Sequence, residues 1–283
     1  SSNKTLKQSA LNSAEPITKI NSENLNKNTL RINDILQISS GLKVRKEGAK
    51  GNESIYMLNG LSGKAIPIFY NEIPFQYSGY GKIVSNLPTL FTKNISVYKG
   101  VTPVELGADA LGGAININQY ESLGKQEIKG SYELSSFNTQ EFAFIFSDNI
   151  RKKTTFNLFS SISGSENNYS VGGGNNTSIY IVNDDYKKQY IKVKNFHNGY
   201  KNFFTRPSFT FKNKKYSSEV WASYSYLEKE IQHNRYNQEI VVGEANWTDK
   251  LISIGGELSL NSILNDQAHL VLKTSYTNEK LHL

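Results

Sequence analysis

Cysteine is absent from this 283-residue chain, so a disulfide framework, a thiolate metal site and a cysteine nucleophile are all excluded. No apolar stretch approaches the roughly 20 residues that a membrane-spanning helix needs. Basic residues exceed acidic ones only modestly, 32 against 25, and like charges do not cluster. Such a mild excess does not favour nucleic acid as a partner. One membrane class stays open, because the strands of a transmembrane β-barrel are only half apolar.

Histidine is also scarce, with four positions: His197, His233, His269 and His282. None has a partner at metal-ligand spacing, and the carboxylate–histidine motifs of metal-dependent hydrolases do not occur. An enzyme on a soluble β scaffold would need a pair of carboxylates with perturbed pKa values, and the sequence offers no such pair. We therefore predict no metal, no cofactor and no catalytic residues, and we expect that the protein is not an enzyme.

The first 120 residues contain sequence patterns of both helix and strand. The stretch TLRINDILQIS (29–39) has apolar residues at helical spacing, with Asn28 or Thr29 as its N-cap and Gly41 as its stop. Short strands are predicted after it, at 42–46, 54–60, 65–75, 94–100 and 114–119. The pattern predicts a small α/β unit that is large enough to form a hydrophobic core.

Period-two alternation dominates after residue 120. Apolar residues occupy one face of each segment, and Lys, Glu, Ser, Asn or Thr occupy the other. The seven predicted strands, each about eight to twelve residues long, are 127–134, 140–147, 154–161, 201–212, 219–227, 252–260 and 268–277.

The connections between these strands alternate between short and long from the second one onward. Transmembrane barrels show this asymmetry, with short turns at one side and long loops at the other. The first connection (135–139) is an exception, because it is short where a long one is expected. A soluble antiparallel sandwich or barrel is the alternative. Long strands and an apolar face rich in Phe and Tyr favour the membrane barrel.

Four segments in the first part carry a resemblance: NDILQISSGLKV (33–44), SIYMLNGLSG (54–63), IPIFYNEIPF (66–75) and NISVYKGVTPVELGADALGGAININ (94–118). In this order and spacing they resemble the plug domain of TonB-dependent outer-membrane receptors, over roughly residues 17–120. The later strands resemble the first part of the receptor barrel. Segments 165–171, 193–200 and 229–233 look similar to receptors of the Bacteroidetes type.

This resemblance implies a small α/β plug domain at 1–120, with its core at 17–120, followed at 121–283 by antiparallel transmembrane β-barrel strands. Plugged transporter barrels have about 22 strands, so we expect a partial, truncated barrel, a fragment of the whole. The coupling segment near the N-terminus of such receptors is not visible, and the chain opens on SSNKTLKQSA without Met. We therefore expect that this end is also clipped.

The glycine-rich segment GADALGGAININ (107–118) has a structural explanation under this resemblance. Glycines at plug turns allow tight turns and close backbone approach, and the candidates are Gly60, Gly100, Gly107, Gly112 and Gly113. Ile115 and Ile117 are expected to pack inside the plug. A phosphate-binding loop is disfavoured, because no Gly-Lys-Ser/Thr follows the glycines and the next element is a strand.

Three charged positions of the family pattern are changed here. Asn59 replaces the Arg of its Arg-Gly turn, Asn71-Glu72 occupies its Asp-Gly turn, and Ser96 replaces the Glu of its Ile-Glu-Val strand. The resemblance implies that these charges join plug to barrel. We therefore expect a weakened ionic contact, with neutral hydrogen bonds in its place, since buried ion pairs often add little net stability.

The resemblance implies two ligand-binding surfaces. Cations and aromatic rings on them suit an anionic ferric siderophore with planar groups. The apical side of the plug offers Arg45, Lys46, Lys50, Tyr77, Tyr80 and Lys82. The long loops offer Tyr169, His197, Tyr200, His233 and Arg235. Solvated surface residues without ligand contact are the alternative for each position.

The resemblance implies a receptor in the bacterial outer membrane, with its plug facing the periplasm and the lumen. It would bind a scarce extracellular small molecule, with a ferric siderophore expected, and transport it with energy from a TonB-type complex. Outer-membrane lipid is the other expected partner. Cobalamin, haem, glycan and peptide remain open as ligands, and a non-transporting surface receptor or adhesin remains open as the function.

Overall fold

In the computed structural model, a small mixed α/β part lies against one face of a large antiparallel sheet. The structure describes residues 17–21, 31–48, 50–100, 102–103, 106, 112–122, 126–172, 180–194, 197–213, 215–231, 245–263 and 268–282. We call the part up to residue 119 the plug and the seven-stranded sheet the wall.

The plug contains one α-helix among its described residues, α1 (Ile32–Ile38), whose Ile32, Ile35 and Leu36 are buried. Its N-cap is Arg31, with extended backbone, rather than Asn28 or Thr29, which lie outside the described residues. Gly41 follows the helix with a φ of 79°, in the left-handed region that glycine adopts readily.

Two small sheets complete the plug. One is mixed, in the order β1-β7-β8-β5-β6, and only its β5–β8 pair is parallel; the other is the antiparallel β2-β3-β4. The strands are β1 (Ile17–Asn21), β2 (Leu42–Lys46), β3 (Ser54–Leu58), β4 (Leu61–Ser62), β5 (Ile68–Tyr70), β6 (Ile73–Pro74), β7 (Thr92–Tyr98) and β8 (Ala114–Gln119). Short 3-10 helices lie at Gly63–Ala65, Phe75–Tyr77, Val84–Asn86 and Thr89–Phe91.

Tight turns and close backbone contacts set the path of the plug. Asn59-Gly60 and Asn71-Glu72 join hairpin strands, and all four residues have positive φ, as two-residue turns of type I′ require. At Gly113, with φ 114°, a Cβ atom would overlap the carbonyl oxygen of Tyr98. Gly112 is equally confined, since a Cβ there would lie 3.1 Å from the Ala65 oxygen. Gly100 also has positive φ, whereas Gly107 lies outside the described residues.

The wall consists of seven antiparallel strands, as predicted, in the order β19-β18-β17-β16-β11-β10-β9. They are 9 to 18 residues long, so several extend beyond the predicted length. Their bounds are β9 (Glu127–Ser135), β10 (Thr139–Arg151), β11 (Thr154–Ser165), β16 (Tyr200–Lys212), β17 (Tyr216–Glu230), β18 (Asn246–Ile263) and β19 (Ala268–His282). The sheet is open, with β9 and β19 at its edges, which is the form of a partial barrel.

The two faces of the wall meet different surroundings. The predicted apolar face points away from the plug and leaves residues such as Ile128, Ile254 and Tyr276 exposed. The opposite face was expected to be polar throughout, and this expectation is wrong in its centre. Phe159 and Phe204, together with Ala143 and Ile145, join the hydrophobic core of the plug.

The long connections, 166–199 and 231–245, leave the same end of the wall, which we call the loop end. The short turn at 136–138 also lies there, whereas 152–153 and 213–215 lie at the opposite end. The first long connection contains two small hairpins that were not predicted: β12 (Ser170–Gly172) with β15 (Lys192–Lys194), and β13 (Tyr180–Val182) with β14 (Lys188–Tyr190). Among the described residues, no helix is long and apolar enough to cross a membrane.

Candidate functional site

A small polar cavity lies in the plug beside the loop end of the wall. It is lined by Arg31, Asn33, Lys46, Glu47, Gly48, Lys50, Asn52, Glu53, Ser54 and Ser85. Both signs of charge are present, and neutral hydrogen-bonding groups fill the rest of the lining. Two predicted ligand residues, Lys46 and Lys50, therefore share one cavity, and Arg31 joins them without having been predicted.

Ion pairs fix this cavity against the wall. Arg31 Nη2 lies 2.7 Å from Glu133 Oε1 of β9. Burial lowers the pKa of Arg31, but the hydrogen bond and charge of Glu133 raise it more, so the guanidinium stays charged. Lys50, with its side chain only 7% exposed, pairs with Glu141 of β10. The strands β9 and β10 thus hold the helix start and the loop between β2 and β3, which we call the apical loop (47–53).

Hydrogen bonds order the floor of the cavity. Asn33 Nδ2 donates to Ser54 Oγ at 2.9 Å, and the Tyr56 hydroxyl donates to Asn33 Oδ1 at 2.8 Å. Burial raises the pKa of Tyr56, which therefore acts as a neutral donor. The floor is therefore neutral and hydrogen-bonded, and the charged groups lie elsewhere in the lining.

The other predicted plug residues differ widely in exposure. Arg45 and Lys46 are exposed and pair with Glu47 and Asp34, at 2.7 and 2.9 Å. Tyr77 is 53% exposed. Lys82 is half-buried and pairs with Glu279 of β19. These side chains remain accessible at the surface of the plug.

Tyr80 lies in the core rather than on the ligand surface. It is 6% exposed, and its ring stacks on Phe204 of the wall with centroids 4.4 Å apart. Its hydroxyl accepts from Tyr70 at 3.2 Å and donates to Gln119 Oε1 at 3.4 Å. Burial raises the pKa of both phenols. We therefore do not retain Tyr80 in the proposed ligand surface.

The predicted ligand residues of the long loops also differ in burial and in contacts. Tyr169 packs edge-on against Phe137, with ring centroids 5.7 Å apart, at the outer side of the loop end. His197 Nε2 lies 2.9 Å from the Ala245 oxygen. Tyr200 is buried under the apical loop, against Gly51, and is likewise not retained. His233 and Arg235 lie outside the described residues.

Further ion pairs join plug and wall away from the cavity, which corrects the expectation of a weakened ionic contact. Lys273 Nζ of β19 lies 2.9 Å from Glu72 Oε2 and 3.2 Å from Glu257 Oε2, and it donates to the Asn71 oxygen at 2.8 Å. The changed Asn71-Glu72 turn thus supplies its own ionic contact. Together with the pairs of Arg31, Lys50 and Lys82, it joins the plug to the wall through charged groups.

Neutral hydrogen bonds are also present near the positions that differ from the family pattern. Ser96 lies opposite Asn116 in the plug sheet. Asn116 accepts from the Glu72 amide at 3.0 Å and donates to Asn118, which in turn donates to Asn94 at 2.8 Å. These bonds lie within the plug and do not join it to the wall, so the expected neutral bonds between plug and wall stay a prediction at these positions.

A buried guanidinium joins the last plug strand to the centre of the wall. Arg206 Nη1 donates to Gln119 Oε1 at 2.7 Å, and the guanidinium lies 4.6 Å from the ring centre of Trp221. Glu219 Oε1 lies 3.4 Å from the same nitrogen. Within the described part of the chain, no group of three or more His, Asp or Glu is arranged to hold a metal ion.

Sequence reasoning missed the contact partners on the wall and also missed Asn167. This residue begins the first long loop, and its side chain donates to the backbone oxygen of Lys50 at 3.0 Å. Asn138, Asn167 and His197 all have positive φ, so they mark turns. The sequence predicts that asparagine favours turns at such positions. It does not predict the contact of Asn167 with the plug.

Comparison with known proteins gives one family match and many similar folds. Residues 9–114 match the family model of the TonB-dependent receptor plug domain. No curated protein matches the sequence.

The solved structures that resemble the chain include siderophore receptors of low sequence identity. A ferric enterobactin receptor from Pseudomonas aeruginosa, in complex with enterobactin, has a TM-score of 0.66 at 12% identity, over 95% of this chain and 42% of its own. The alcaligin outer-membrane receptor from Bordetella pertussis has a TM-score of 0.66 at 10% identity, over 95% and 40%. The siderophore receptor PiuA from Acinetobacter baumannii has a TM-score of 0.64 at 14% identity, over 94% and 36%.

The chain therefore spans less than half the length of these structures. Its plug matches by sequence model, and its plug and wall together match by fold. Residues 9–114 therefore match a TonB-dependent receptor plug domain, and the plug and wall together have the fold of part of a plugged TonB-dependent receptor barrel.

Proposed function

We propose that the protein is an energy-coupled transport receptor of the bacterial outer membrane and that its solute is a ferric siderophore. The proposal rests on the position of the plug against the wall. Aromatic packing and ion pairs hold the plug against the inner face of the wall. A domain in that place has to move before a solute can pass, and movement against such contacts requires energy from a partner such as a TonB-type complex.

The choice of solute rests on the structural relatives and on the chemistry of the loop end. Receptors for ferric enterobactin and for alcaligin share the fold. Arg45, Lys46 and Tyr77 are exposed on the plug, and Tyr169 packs against Phe137 at the loop end of the wall. Cations and aromatic rings of this kind suit an anionic iron chelate. The outward apolar face suits lipid, and the Bacteroidetes type stays part of the proposal.

Uptake of iron chelates tests this function directly. The gene that encodes this chain would be expressed in the outer membrane of a host that lacks receptors for the chelates offered. Radiolabelled iron would be supplied as catecholate, hydroxamate and citrate complexes, with and without a protonophore. We expect uptake of one class, and we expect the protonophore to abolish that uptake.

A reversible tether makes the test specific to the plug. The chain has no cysteine, and a Cβ atom at Gly79 would lie 3.3 Å from the Cβ atom of Ser223 on the wall, close to the roughly 3.5–4.5 Å of a disulfide. Gly79 has a φ of 84°, which strains any side chain there, so the Gly79→Cys single variant is the control for that strain. We expect the Gly79→Cys, Ser223→Cys double variant to lose uptake when oxidised and regain it on reduction, and we expect uptake by each single variant to respond to neither treatment.

The alternative outcomes separate the other candidate functions. Chelate binding without energy-dependent uptake would favour a surface receptor or adhesin. Absence of binding to every chelate would count against the siderophore and would direct the search to cobalamin, haem, glycans and peptides.

A further inference from the structure

One buried amide joins the plug to both ends of the first long loop. Asn167 is 3% exposed, and its Nδ2 donates to the oxygens of Lys50 and Asn198, each at 3.0 Å. Asn198 Nδ2 returns a bond of 3.4 Å to the Asn167 oxygen. Asn167 and Asn198 lie at the start and end of the loop 166–199, so the pair closes that loop at its base. The same side chain also holds the apical loop of the plug.

The second long loop is tied to the same place. The Gly199 amide donates to Glu230 Oε2 at 2.6 Å, and the Glu230 amide donates to the Gly199 oxygen at 3.0 Å. His197 Nε2 lies 2.9 Å from the oxygen of Ala245. A carbonyl oxygen only accepts, so Nε2 carries the hydrogen in this contact. Because Glu230 and Ala245 flank the loop 231–245, these hydrogen bonds join the bases of the two long loops to each other.

The plug side of this junction is equally confined. The Lys50 side chain pairs with Glu141, so its backbone and its ammonium are both held by the wall. Gly51 has a φ of 88° and lies against the ring of Tyr200, leaving no room for a Cβ atom. A shift of the loop bases would therefore act on the apical loop, and a shift of the apical loop would act on the loop bases.

We propose that Asn167 is a positioning residue that couples both long loops to the apical loop of the plug. The Asn167 amide makes the two sets of contacts interdependent. Displacement of Asn198 weakens the bond from Asn167 to Lys50, and displacement of Lys50 weakens the bond from Asn167 to Asn198. The inference deepens the proposed function and rests on it for its biological meaning: solute capture by the loops would reach the plug through this amide. The coupling itself requires neither solute nor energy.

The backbone at this position dictates the choice of variants. Asn167 has a φ of 47°, in the left-handed region that Asn, Asp and Gly tolerate and that β-branched residues do not. Asn167→Asp keeps the shape but loses the amide donor. Asn167→Gly keeps the backbone freedom but loses the side chain. The matched control is Asn168→Asp, because Asn168 hydrogen-bonds Glu166 at 2.8 Å instead.

Hydrogen exchange of the purified protein, without solute, tests the coupling. For both Asn167 variants, we expect backbone amides in residues 50–54 and 197–199 to exchange about tenfold faster than in the unaltered protein, since shared hydrogen bonds are lost. We expect Asn168→Asp to leave both segments unchanged. Unaltered exchange at either segment in both Asn167 variants would overturn the proposal.

A double-variant cycle separates coupling from a merely structural role. Glu141→Gln breaks the Lys50 pair in the plug, and we expect it to speed exchange at 197–199 several-fold. In the Asn167→Gly background, the same change should have no further effect at 197–199. An equal effect in both backgrounds would show that the coupling bypasses Asn167. If uptake fails while this cycle behaves as expected, only the transport function is rejected.

Discussion

Two kinds of contact hold the plug to the wall, and they differ in chemistry. The aromatic contact consists of Tyr80 and Phe91 of the plug with Phe159 and Phe204 of the wall, with centroids 4.4 Å apart for Tyr80–Phe204 and 5.3 Å for Phe91–Phe159. Among the described residues, the ionic contact includes the pairs Arg31–Glu133, Lys50–Glu141, Glu72–Lys273 and Lys82–Glu279. The aromatic contact is continuous with the core of the plug, whereas the ion pairs join separate loops to separate strands.

This difference indicates which contact can be released. Burial of the aromatic rings involves no charge that salt can screen, and the rings have no polar group that water can bind in exchange. An ion pair or hydrogen bond to the wall can be replaced by water at modest net cost. We infer that the aromatic contact fixes the position of the plug against the wall. The ionic contact sets the position of the loops of the plug.

Removal of one wall aromatic should have the largest effect. We expect Phe204→Ala to lower the free energy of unfolding by about 3–5 kcal/mol, because it empties a site that Tyr80 and Phe91 share. Guanidinium titration of the protein in detergent micelles measures this. The exposed Tyr77→Ala is the control and should cost less than about 0.5 kcal/mol. Equal losses for the two variants would remove the aromatic contact from the explanation.

Loss of Lys273 should have the next largest effect. Its ammonium serves three acceptors, on Asn71, Glu72 and Glu257, and its side chain is 19% exposed. We expect Lys273→Met to lower the free energy of unfolding by about 1–3 kcal/mol, since two carboxylates are left facing each other. In the same titration, adding Glu72→Gln and Glu257→Gln should recover about half of the loss. No recovery would show that packing of the lysine stem, rather than charge, matters there.

Alkaline pH should weaken the aromatic contact through its buried phenols. Burial raises the pKa of Tyr80, so the folded protein keeps a proton that the unfolded chain releases near its ordinary pKa of about 10. The contribution is fully present below pH ~10 and falls above it, by up to ~1.4 kcal/mol per pH unit and phenol. We expect Tyr80→Phe to show a shallower decline between pH 10 and 11.5 than the unaltered protein. Parallel declines would contradict a protonated Tyr80.

An exposed ion pair should have the smallest effect. Lys46 is 51% exposed where it meets Asp34, so we expect Lys46→Met to cost less than about 1 kcal/mol and nothing measurable in 1 M salt. The buried Lys50 offers the matched comparison, because Lys50→Met should keep its cost at high salt. Unfolding titrations at low and high ionic strength measure both variants. Similar salt dependence for the two would erase the distinction between rim and buried pairs.

Local patterns in the sequence were sufficient for the elements themselves. The structure reproduces the predicted bounds of β2 and β8, and the outward apolar face of all seven wall strands follows the predicted alternation. Alternation failed at Phe159 and Phe204, because an inward face that meets a plug is buried as well. Pattern alone cannot tell a strand with one buried face from a strand with two.

Long-range partners were beyond the reach of local reasoning. Lys82 meets Glu279, and Asn71 meets Lys273, across about two hundred positions. Tyr77 and Tyr80 lie in one short segment, yet one is exposed and the other is buried. This difference in burial depends on the position of Phe204, which packs on Tyr80, and that position follows only from how the plug lies against the wall. The expected ionic weakness failed for the same reason, since wall residues supplied the missing partners.

Trp221 and Trp247 are the two tryptophans of the chain, and both lie where plug and wall meet. The Trp221 ring faces Gly79 of the plug, and Trp247 packs on the cluster that contains Ile83 of the plug. The tryptophan fluorescence of the chain therefore arises from the interface itself. A change in its emission colour or quenching would report departure of the plug in real time, without an added label.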